Sequence, residues 1–345
     1  MEPAGVPYNA LVAVHPSRPT HELLVREVPA VRAPASDDLI ACTPAMVEAL
    51  YLADAFAPAD RPVVLYGETG TGKSRLAKFI HNLSGRMGGF HAVSVGTLAP
   101  SLAEDELFGH ERGAFTDART ARVGLLGESG AGTLLLDDMQ GAPPWLQRKL
   151  FDVMDRRIYR VLGSDRMLAT ACRFIISVSE NPNTLVEQGV LIKDLRYRFG
   201  RMWIRMAPLR ERREEIPLLA ARALERCRKE LPSDGPSRLS DAALAVLFQG
   251  EYLGNVRELE GAVDHAYMLA RKAGRDMIVP ADLPPEISPP LVYPRRGAPS
   301  EKLRAVRLAL ERTSGKAAAA ARLLMVSRTT ISAVLAFERS AKRTA

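Results

Sequence analysis

The stretch Val63-Val64-Leu65-Tyr66-Gly67-Glu68-Thr69-Gly70-Thr71-Gly72-Lys73-Ser74 constrains this chain more than any other. A short apolar run of β type leads into a glycine-rich turn. The turn leads into Arg75-Leu76-Ala77-Lys78-Phe79-Ile80, whose apolar residues recur at helical spacing. Strand, loop and helix in that order are the context that the pattern G-x-x-x-x-G-K-[ST] requires. Glycines let the backbone curl so that successive N–H groups point inward at phosphates, and the helix start adds its positive end. On this reading Gly67, Glu68, Thr69, Gly70, Thr71 and Gly72 cradle a nucleoside triphosphate. Lys73 reaches its β- and γ-phosphates, and Ser74 holds Mg2+ through its hydroxyl.

A chain of 345 residues, 47% hydrophobic and 25% charged, has ample material for a core and the length of two to three domains. No apolar run approaches the ~20 residues that span a bilayer. The N-terminus has no basic region followed by an apolar one, and Pro3, Pro7, Pro16 and Pro19 interrupt it, so no signal peptide and no membrane partner are expected. Cys42, Cys172 and Cys227 lie far apart in no metal-ligand spacing and read as free thiols of a cytoplasmic protein. Charge is uneven. From Tyr293 onward there are twelve Lys and Arg against three acids, a surplus of nine, whereas the whole chain carries +7. A cationic tail on a near-neutral body points to a polyanion such as double-stranded DNA.

Residues 1–38, rich in Pro and Ala with an apolar patch at Leu11-Val12-Ala13-Val14, read as a weakly structured leader. Thr43 then caps a helix, with Pro44 at its first position and its end near Phe56. Phe90 to Val95 reads as a second strand. Gly132-Thr133-Leu134-Leu135-Leu136-Asp137-Asp138 is an apolar strand ending in two acids. Behind a phosphate loop, Asp137 is expected to hold the metal's water shell and Asp138 to orient or deprotonate the attacking water. Trp145 to Met154 has helical periodicity, and Arg173 to Val178 is a further buried-type strand that ends in Ser179-Glu180-Asn181. Strands alternating with helices predict an α/β domain with a parallel sheet, its ligand at the strand C-termini. From Glu214 to Glu230, Asp241 to Phe248 and Asn255 to Ala270 the pattern is helical only, an all-α unit. Seven prolines between residues 280 and 300 predict a linker. Three helical stretches follow, Glu301–Glu311, Ala317–Leu324 and Arg328–Phe337. Ser327 is the cap of the third, after a tight Met325-Val326-Ser327 connection. Two short helices on a tight turn in a basic segment predict a helix-turn-helix, with Arg328, Thr329, Thr330 and Ser332 toward DNA.

From about residue 39 to 340 the chain resembles the AAA+ ATPases that activate sigma-54 RNA polymerase, the bacterial enhancer-binding proteins. The stretch Glu106-Leu107-Phe108-Gly109-His110-Glu111-Arg112-Gly113-Ala114-Phe115-Thr116-Asp117-Ala118 is similar to that family's ELFGHE-x-GAFTGA signature. Leu195 to Phe199, Pro208 to Leu219 and Gly254 to Glu260 match as well. The resemblance implies an AAA+ domain over 39–208, an α-helical lid over 209–283, a Pro-rich linker over 284–300 and a Fis-type helix-turn-helix over 301–345. It implies ATP as the nucleotide, Phe115 and Thr116 as the sigma-54 contact, and Arg198 as an arginine finger toward the neighbouring subunit. It further implies Arg257 as the sensor II arginine of the lid, and a ring, usually a hexamer. With no receiver or sensing domain evident, control is expected from a regulatory protein in trans or from expression level.

The chain also departs from that pattern. Asp117 stands where Gly is usual, and Asp138 replaces a Glu. Ser94 stands at the Asn that restrains that Glu, and Ser179 at the sensor I Asn. Lys193 occupies the place of the first arginine finger, where an ammonium offers no bidentate fork. Met325 replaces the turn Gly, and Leu253 the Pro before Gly254. The nucleotide-binding residues are kept and those for fast hydrolysis are altered, so ATP is expected to be bound and hydrolysed slowly. The rival expectation is a nucleotide-binding repressor or co-regulator that has lost the motor and works without sigma-54.

Overall fold

A computed structural model of the chain describes residues 12–13, 24–25, 39–116, 118–231, 235–287, 294, 298–312, 317–324 and 326–341, and separates two units between Glu215 and Ile216. Most of the proposed leader lies outside the described residues, apart from Val12–Ala13 paired antiparallel with Leu24–Val25. Asp117 and Met325 lie outside them too.

The first unit is built on five strands: β1 (Val63–Tyr66), β2 (Phe90–Ser94), β3 (Thr133–Asp137), β4 (Arg173–Val178) and β5 (Trp203–Arg205). They stand in the order β5-β1-β4-β3-β2, and every pairing is parallel. The period of two along a strand divides the apolar residues between two layers. Leu134 and Leu136 join Val64, Phe174 and Ile176 on one face, and Leu135 joins Val63, Leu65 and Ile175 on the other. Helices α1 (Pro44–Phe56) and α2 (Lys73–Leu83) cover the second face with Met46, Ala49, Ala53, Leu76, Phe79 and Ile80. Helices α3 (Pro100–Phe108), α4 (Pro144–Arg156) and α5 (Lys193–Arg198) cover the first with Leu107, Phe108, Leu146, Leu150 and Leu195. Each such side chain taken fully out of water contributes about 1.5–3 kcal/mol. Parallel strands buried on both faces leave only their ends for polar work, so the turns after β1, β3 and β4 meet at one edge. Arg173, fully buried at the start of β4, donates to the Phe56 and Ala57 carbonyls, each at 2.6 Å. Burial pulls its pKa down to about 10, so the guanidinium stays cationic at neutral pH and sits at the negative end of α1.

The second unit holds helices at Ile216–Glu230, Asp241–Gln249 and Asn255–Lys272. Arg226 bridges the first and third of these, paired with both Asp264 oxygens at 2.8 and 2.9 Å and with Glu260 at 3.2 Å. The unit is not purely helical as the pattern predicted. Arg238–Leu239 pairs in parallel with Met277–Ile278, a bridge too short to leave any periodicity. Two prolines assigned to the linker start helical turns instead, Pro280 a 3-10 turn to Asp282 and Pro299 the helix Pro299–Arg312. At a first helical position the missing N–H has no partner to lose. Helices Ala317–Leu323 and Arg328–Ala341 pack with Pro299–Arg312 around Val306, Ala309, Ala320, Ala321, Leu324 and Ile331. Ser327 caps the last helix, its Oγ accepting from the Thr330 N–H at 3.1 Å. Among the described residues no helix is long and apolar enough to cross a membrane. All three cysteines are free, and burial raises each thiol, Cys42 and Cys227 to about 12.

Two braces hold the loops of the first unit. The first corrects the expected cap of α1. The Thr43 hydroxyl donates to the Glu215 carboxylate at 2.8 Å and makes no cap bond, while Pro44 does open the helix. Glu215 is fully buried. It also accepts from the Cys42 and Thr43 N–H groups (3.2 and 3.3 Å) and from Arg212 at 3.1 Å. Arg212 in turn donates to the Thr71 carbonyl of the glycine-rich turn at 2.7 Å. Burial pushes the Glu215 carboxyl up and the Arg212 guanidinium down, and each partner's charge opposes the shift of the other. Arg212→Ala leaves a buried carboxylate without its cation. A loss of about 3–5 kcal/mol is expected in the urea unfolding of the first unit. A loss no larger than that of an exposed arginine sets this account aside.

The second brace crosses the stem of the loop after α3. His110 Nδ1 meets the Asp105 carboxylate and Nε2 meets the Thr120 carbonyl at 2.8 Å. Both partners only accept, so the ring satisfies both only as an imidazolium. The hydrogen bond to Asp105 accordingly holds its pKa above the usual value. Stabilisation of the stem is thus fully present below the ordinary histidine pKa of about 6.5 and is lost as pH rises through the raised value. Amide protection between Glu111 and Thr116, corrected for intrinsic exchange, is expected to fall in one step over that window. His110→Gln should remove the step, and an identical pH profile in that variant argues against the brace.

Candidate nucleotide-binding site

The glycine-rich turn runs from the end of β1 to the start of α2. At Gly67 (φ +149°) a Cβ would lie 2.3 Å from the Met206 carbonyl, so no side chain fits against β5 there. Gly72 (φ +103°) turns the chain in the left-handed region into the first residue of α2. Thr71 is buried, and its hydroxyl donates to the Glu68 carbonyl at 2.8 Å. Thr69 is exposed at the tip beside Gly70. The Lys73 ammonium lies within the turn on the Gly67 and Glu68 carbonyls, at 2.6 and 3.1 Å.

The turn meets the two acids as the residue pattern anticipates. Ser74 Oγ donates to Asp137 Oδ2 at 3.3 Å across 63 residues of chain. The other Asp137 oxygen accepts from the Ser177 hydroxyl on β4. Hydroxyl plus carboxylate is a hard oxygen pair, the donor set that suits Mg2+ shared with phosphates. Among the described residues there is no group of three or more His, Cys, Asp or Glu for a self-contained metal centre. Asp138 leaves the strand for the left-handed region (φ 54°), its N–H on Ser177 Oγ at 3.2 Å and its carboxylate accepting from Gln140 at 3.2 Å. Ser94 pairs in register with Asp137, so the carboxamide that faces Asp138 belongs to Gln140. Asn181, close to the Ser179 position, caps the helix Pro182–Glu187 by accepting from the Asn183 N–H at 2.9 Å.

Several contributors escaped the residue patterns. Arg210 grips the Glu68 carboxylate of the turn with two parallel bonds of 2.8 and 2.6 Å, and that bond raises the guanidinium pKa. Arg212 supports the same turn from beneath. Both lie in Pro208–Leu219, a stretch whose likeness to a family motif was the one signal available. Ser177 and Gln140 left no signal, because single polar residues in a strand or turn have no periodicity.

The remaining expected residues are spread out. On α5, Lys193 is exposed in the first turn. Arg198, at its last residue, donates to the Met154 carbonyl at 2.6 Å and pairs with Asp155 at 3.4 Å. Between them the Arg196 guanidinium lies 4.9 Å from the centre of the Trp203 ring. Arg257 is exposed in the first turn of Asn255–Lys272 in the second unit. Phe115 is 47% exposed and rests edge-on against His110 with ring centres 4.9 Å apart; Thr116 beside it is exposed. The loop stem pairs with the hairpin Ile158–Arg160/Met167–Ala169 through the Leu162 N–H and carbonyl, at 3.0 and 2.9 Å from Gly109 O and Glu111 N. On the last helix Arg328, Thr329 and Ser332 are exposed and Ile331 is buried, while the Thr330 hydroxyl bonds Ser327 Oγ at 2.9 Å.

A family model described as the sigma-54 interaction domain matches residues 39–205, and one described as an AAA+ ATPase lid domain matches residues 210–293. The sigma-54-dependent transcriptional activator SfnR of Pseudomonas putida is 39% identical over 213 residues, 61% of this chain and 58% of SfnR. The transcriptional regulatory protein ZraR of Klebsiella oxytoca is 35% identical over 323 residues, 90% of this chain and 71% of ZraR. Among solved structures, NtrX from Brucella abortus in complex with ATP is similar at a TM-score of 0.65 and 25% identity, over 86% of this chain and 68% of NtrX. The chain spans about half the length of several curated relatives that it matches. The matched interaction domain contains the phosphate turn, the paired acids and the braced Phe115 loop, and the alignment with ZraR runs through nine-tenths of the residues. The chain therefore belongs to the family of sigma-54-dependent transcriptional activators.

Proposed function

We propose that this chain is an ATP-binding, DNA-binding transcriptional regulator of the cytoplasm, a ring ATPase that drives Phe115 and Thr116 against sigma-54 RNA polymerase holoenzyme. The observation that carries the reading is the meeting of Ser74 and Asp137 at 3.3 Å, beside a turn that buries the Lys73 ammonium. Residues Gly67 to Ser74 bind the triphosphate, and Ser74 with Asp137 holds Mg2+. The ion neutralises charge on the β- and γ-phosphates when bound. Asp138 orients the attacking water. Arg198 reaches the nucleotide of the neighbouring subunit in a hexamer, with Lys193 beside it, and Arg257 serves as the lid's sensor. A delocalised cation suits a transferring phosphoryl group. The exposed face of Arg328, Thr329 and Ser332, on a segment with a surplus of nine positive charges, supports a helix-turn-helix on enhancer-like duplex DNA. Thr330 lies beside that face with its hydroxyl on Ser327. A regulatory protein in trans is the expected source of control.

A second reading, a regulator with a weakened motor acting as repressor or co-regulator without sigma-54, is favoured by particular positions. The acid at 138 is one methylene short of Glu, 193 is an exposed Lys, and the side chain at 179 is a Ser. In vitro transcription from a sigma-54 promoter with and without ATP separates the two. Under the first reading ATP-dependent transcript appears and Thr116→Ala abolishes it while ATP hydrolysis persists; equal transcript from mutant and parent would falsify the loop's role. Lys73→Ala is expected to abolish ATP binding measured by calorimetry, and retained affinity removes the nucleotide reading altogether. Steady-state hydrolysis is expected to be slow, and a rate typical of intact ring ATPases rejects the second reading.

A further inference from the structure

Asp138 lies one residue beyond β3 in the left-handed backbone conformation (φ 54°, ψ 46°), which aspartate adopts more readily than most residues other than glycine. The surroundings here are specific. Its N–H donates to Ser177 Oγ at 3.2 Å, and its carbonyl accepts from the Gly141 N–H at 2.9 Å. That second bond closes the 3-10 turn Met139–Gly141. A Cβ on Gly141 would lie 2.7 Å from the Gly96 Cα, so the turn is seated backbone to backbone with no room to slide. Gln140 sits in the middle of this fixed turn. Its Nε2 donates to Asp138 Oδ1 at 3.2 Å, and its Oε1 accepts from the Ser179 N–H at 3.3 Å. A carboxylate can only accept and an N–H can only donate, so a single orientation of the carboxamide satisfies both. The side chain thereby ties the acid after β3 to the backbone at the end of β4, across 39 residues of chain.

We propose that Gln140 is a positioning residue for the proposed ATP hydrolysis. It holds the Asp138 carboxylate where it can orient the attacking water, and it couples that posture to the end of β4. The assignment rests on the hydrolytic reading above. Ser177 completes the arrangement, since one hydroxyl serves both acids by donating to the Asp137 carboxylate and accepting from the Asp138 N–H. The two bonds of Gln140 can be cut separately. Gln140→Ala removes both. Gln140→Glu keeps the acceptor for Ser179 and replaces the donor to Asp138 with a second negative charge.

The test uses the full chain with Mg·ATP. It measures ATP affinity by calorimetry, assembly by sedimentation and kcat between about pH 5.5 and 8. In Gln140→Ala, kcat is expected to fall about 10- to 100-fold, the cost of a displaced reacting group, with affinity and assembly unchanged. In Gln140→Glu, kcat is expected to be as low near pH 8 and to recover toward the parent as pH falls. A protonated Glu at that position can again donate to Asp138, whereas the alanine variant has no such recovery. If the parent hydrolyses ATP and either variant keeps its kcat near pH 8, or if hydrolysis rises on losing Gln140, the assignment of Gln140 is wrong and the hydrolytic reading stands. If the parent binds ATP and shows no hydrolysis that Lys73→Ala removes, the hydrolytic reading fails and this assignment falls with it.

Discussion

The arrangement depends on one carboxylate at the end of one strand. β3 is buried on both faces along its apolar length, so its first chance to present a polar group is at its last residue. That residue, Asp137, is shared between the hydroxyl of Ser74 at the start of α2 and that of Ser177 on β4. A charge at this edge keeps its solvation by accepting hydrogen bonds, and in doing so it ties together the polar ends of three elements. The phosphate turn, the paired acids and the end of β4 then have fixed positions relative to one another. The candidate chemistry of the family follows from that alignment.

Burial decides which of the surrounding ion pairs matter to the fold. Arg210 and Glu68 make a well-formed bidentate pair, yet both are partly open to water, where screening leaves little net gain. Arg212 and Glu215 are sealed from water, and there the same chemistry carries high stakes. Desolvation opposes both charges, and four further hydrogen-bonding groups converge on the pair, the Cys42 and Thr43 N–H groups and the Thr43 hydroxyl on the acid and the Thr71 carbonyl on the guanidinium. The glycine-rich turn therefore rests on a contact that no motif for phosphate binding contains.

The departures from the family pattern take a different weight once neighbours are known. Ser94 lies beside Asp137, and the carboxamide that the second acid meets is supplied by Gln140 from a turn seated on Gly96. Asp138 thus has a carboxamide partner from the turn that follows it. Lys193 has no comparable neighbour on the described surface of α5, where the half-buried guanidiniums are those of Arg196 and Arg198, each held by a hydrogen bond.

Much of this protein could be read from its residues in order. The phosphate turn, the β3 and β4 strands, the helix from Pro144 with its buried Leu146, Leu150, Val153 and Met154, and the cap at Ser327 all came from patterns within a dozen neighbouring residues. Local sterics and the periods of two and 3.6 act over that range, so the chain itself determined these elements. Thr43 was misread because its hydroxyl could accept from an N–H of the first helical turn or donate to a carboxylate, and the partner it takes, Glu215, is 172 residues away. Arg210 on Glu68, Ser177 on both acids and Gln140 between two strand ends share that character. Each is a single polar group whose partner is chosen by where the parallel sheet brings the backbone, and only the tertiary structure could decide it, because a hydrogen bond needs its partner within about 3 Å and sequence spacing carries no such distance.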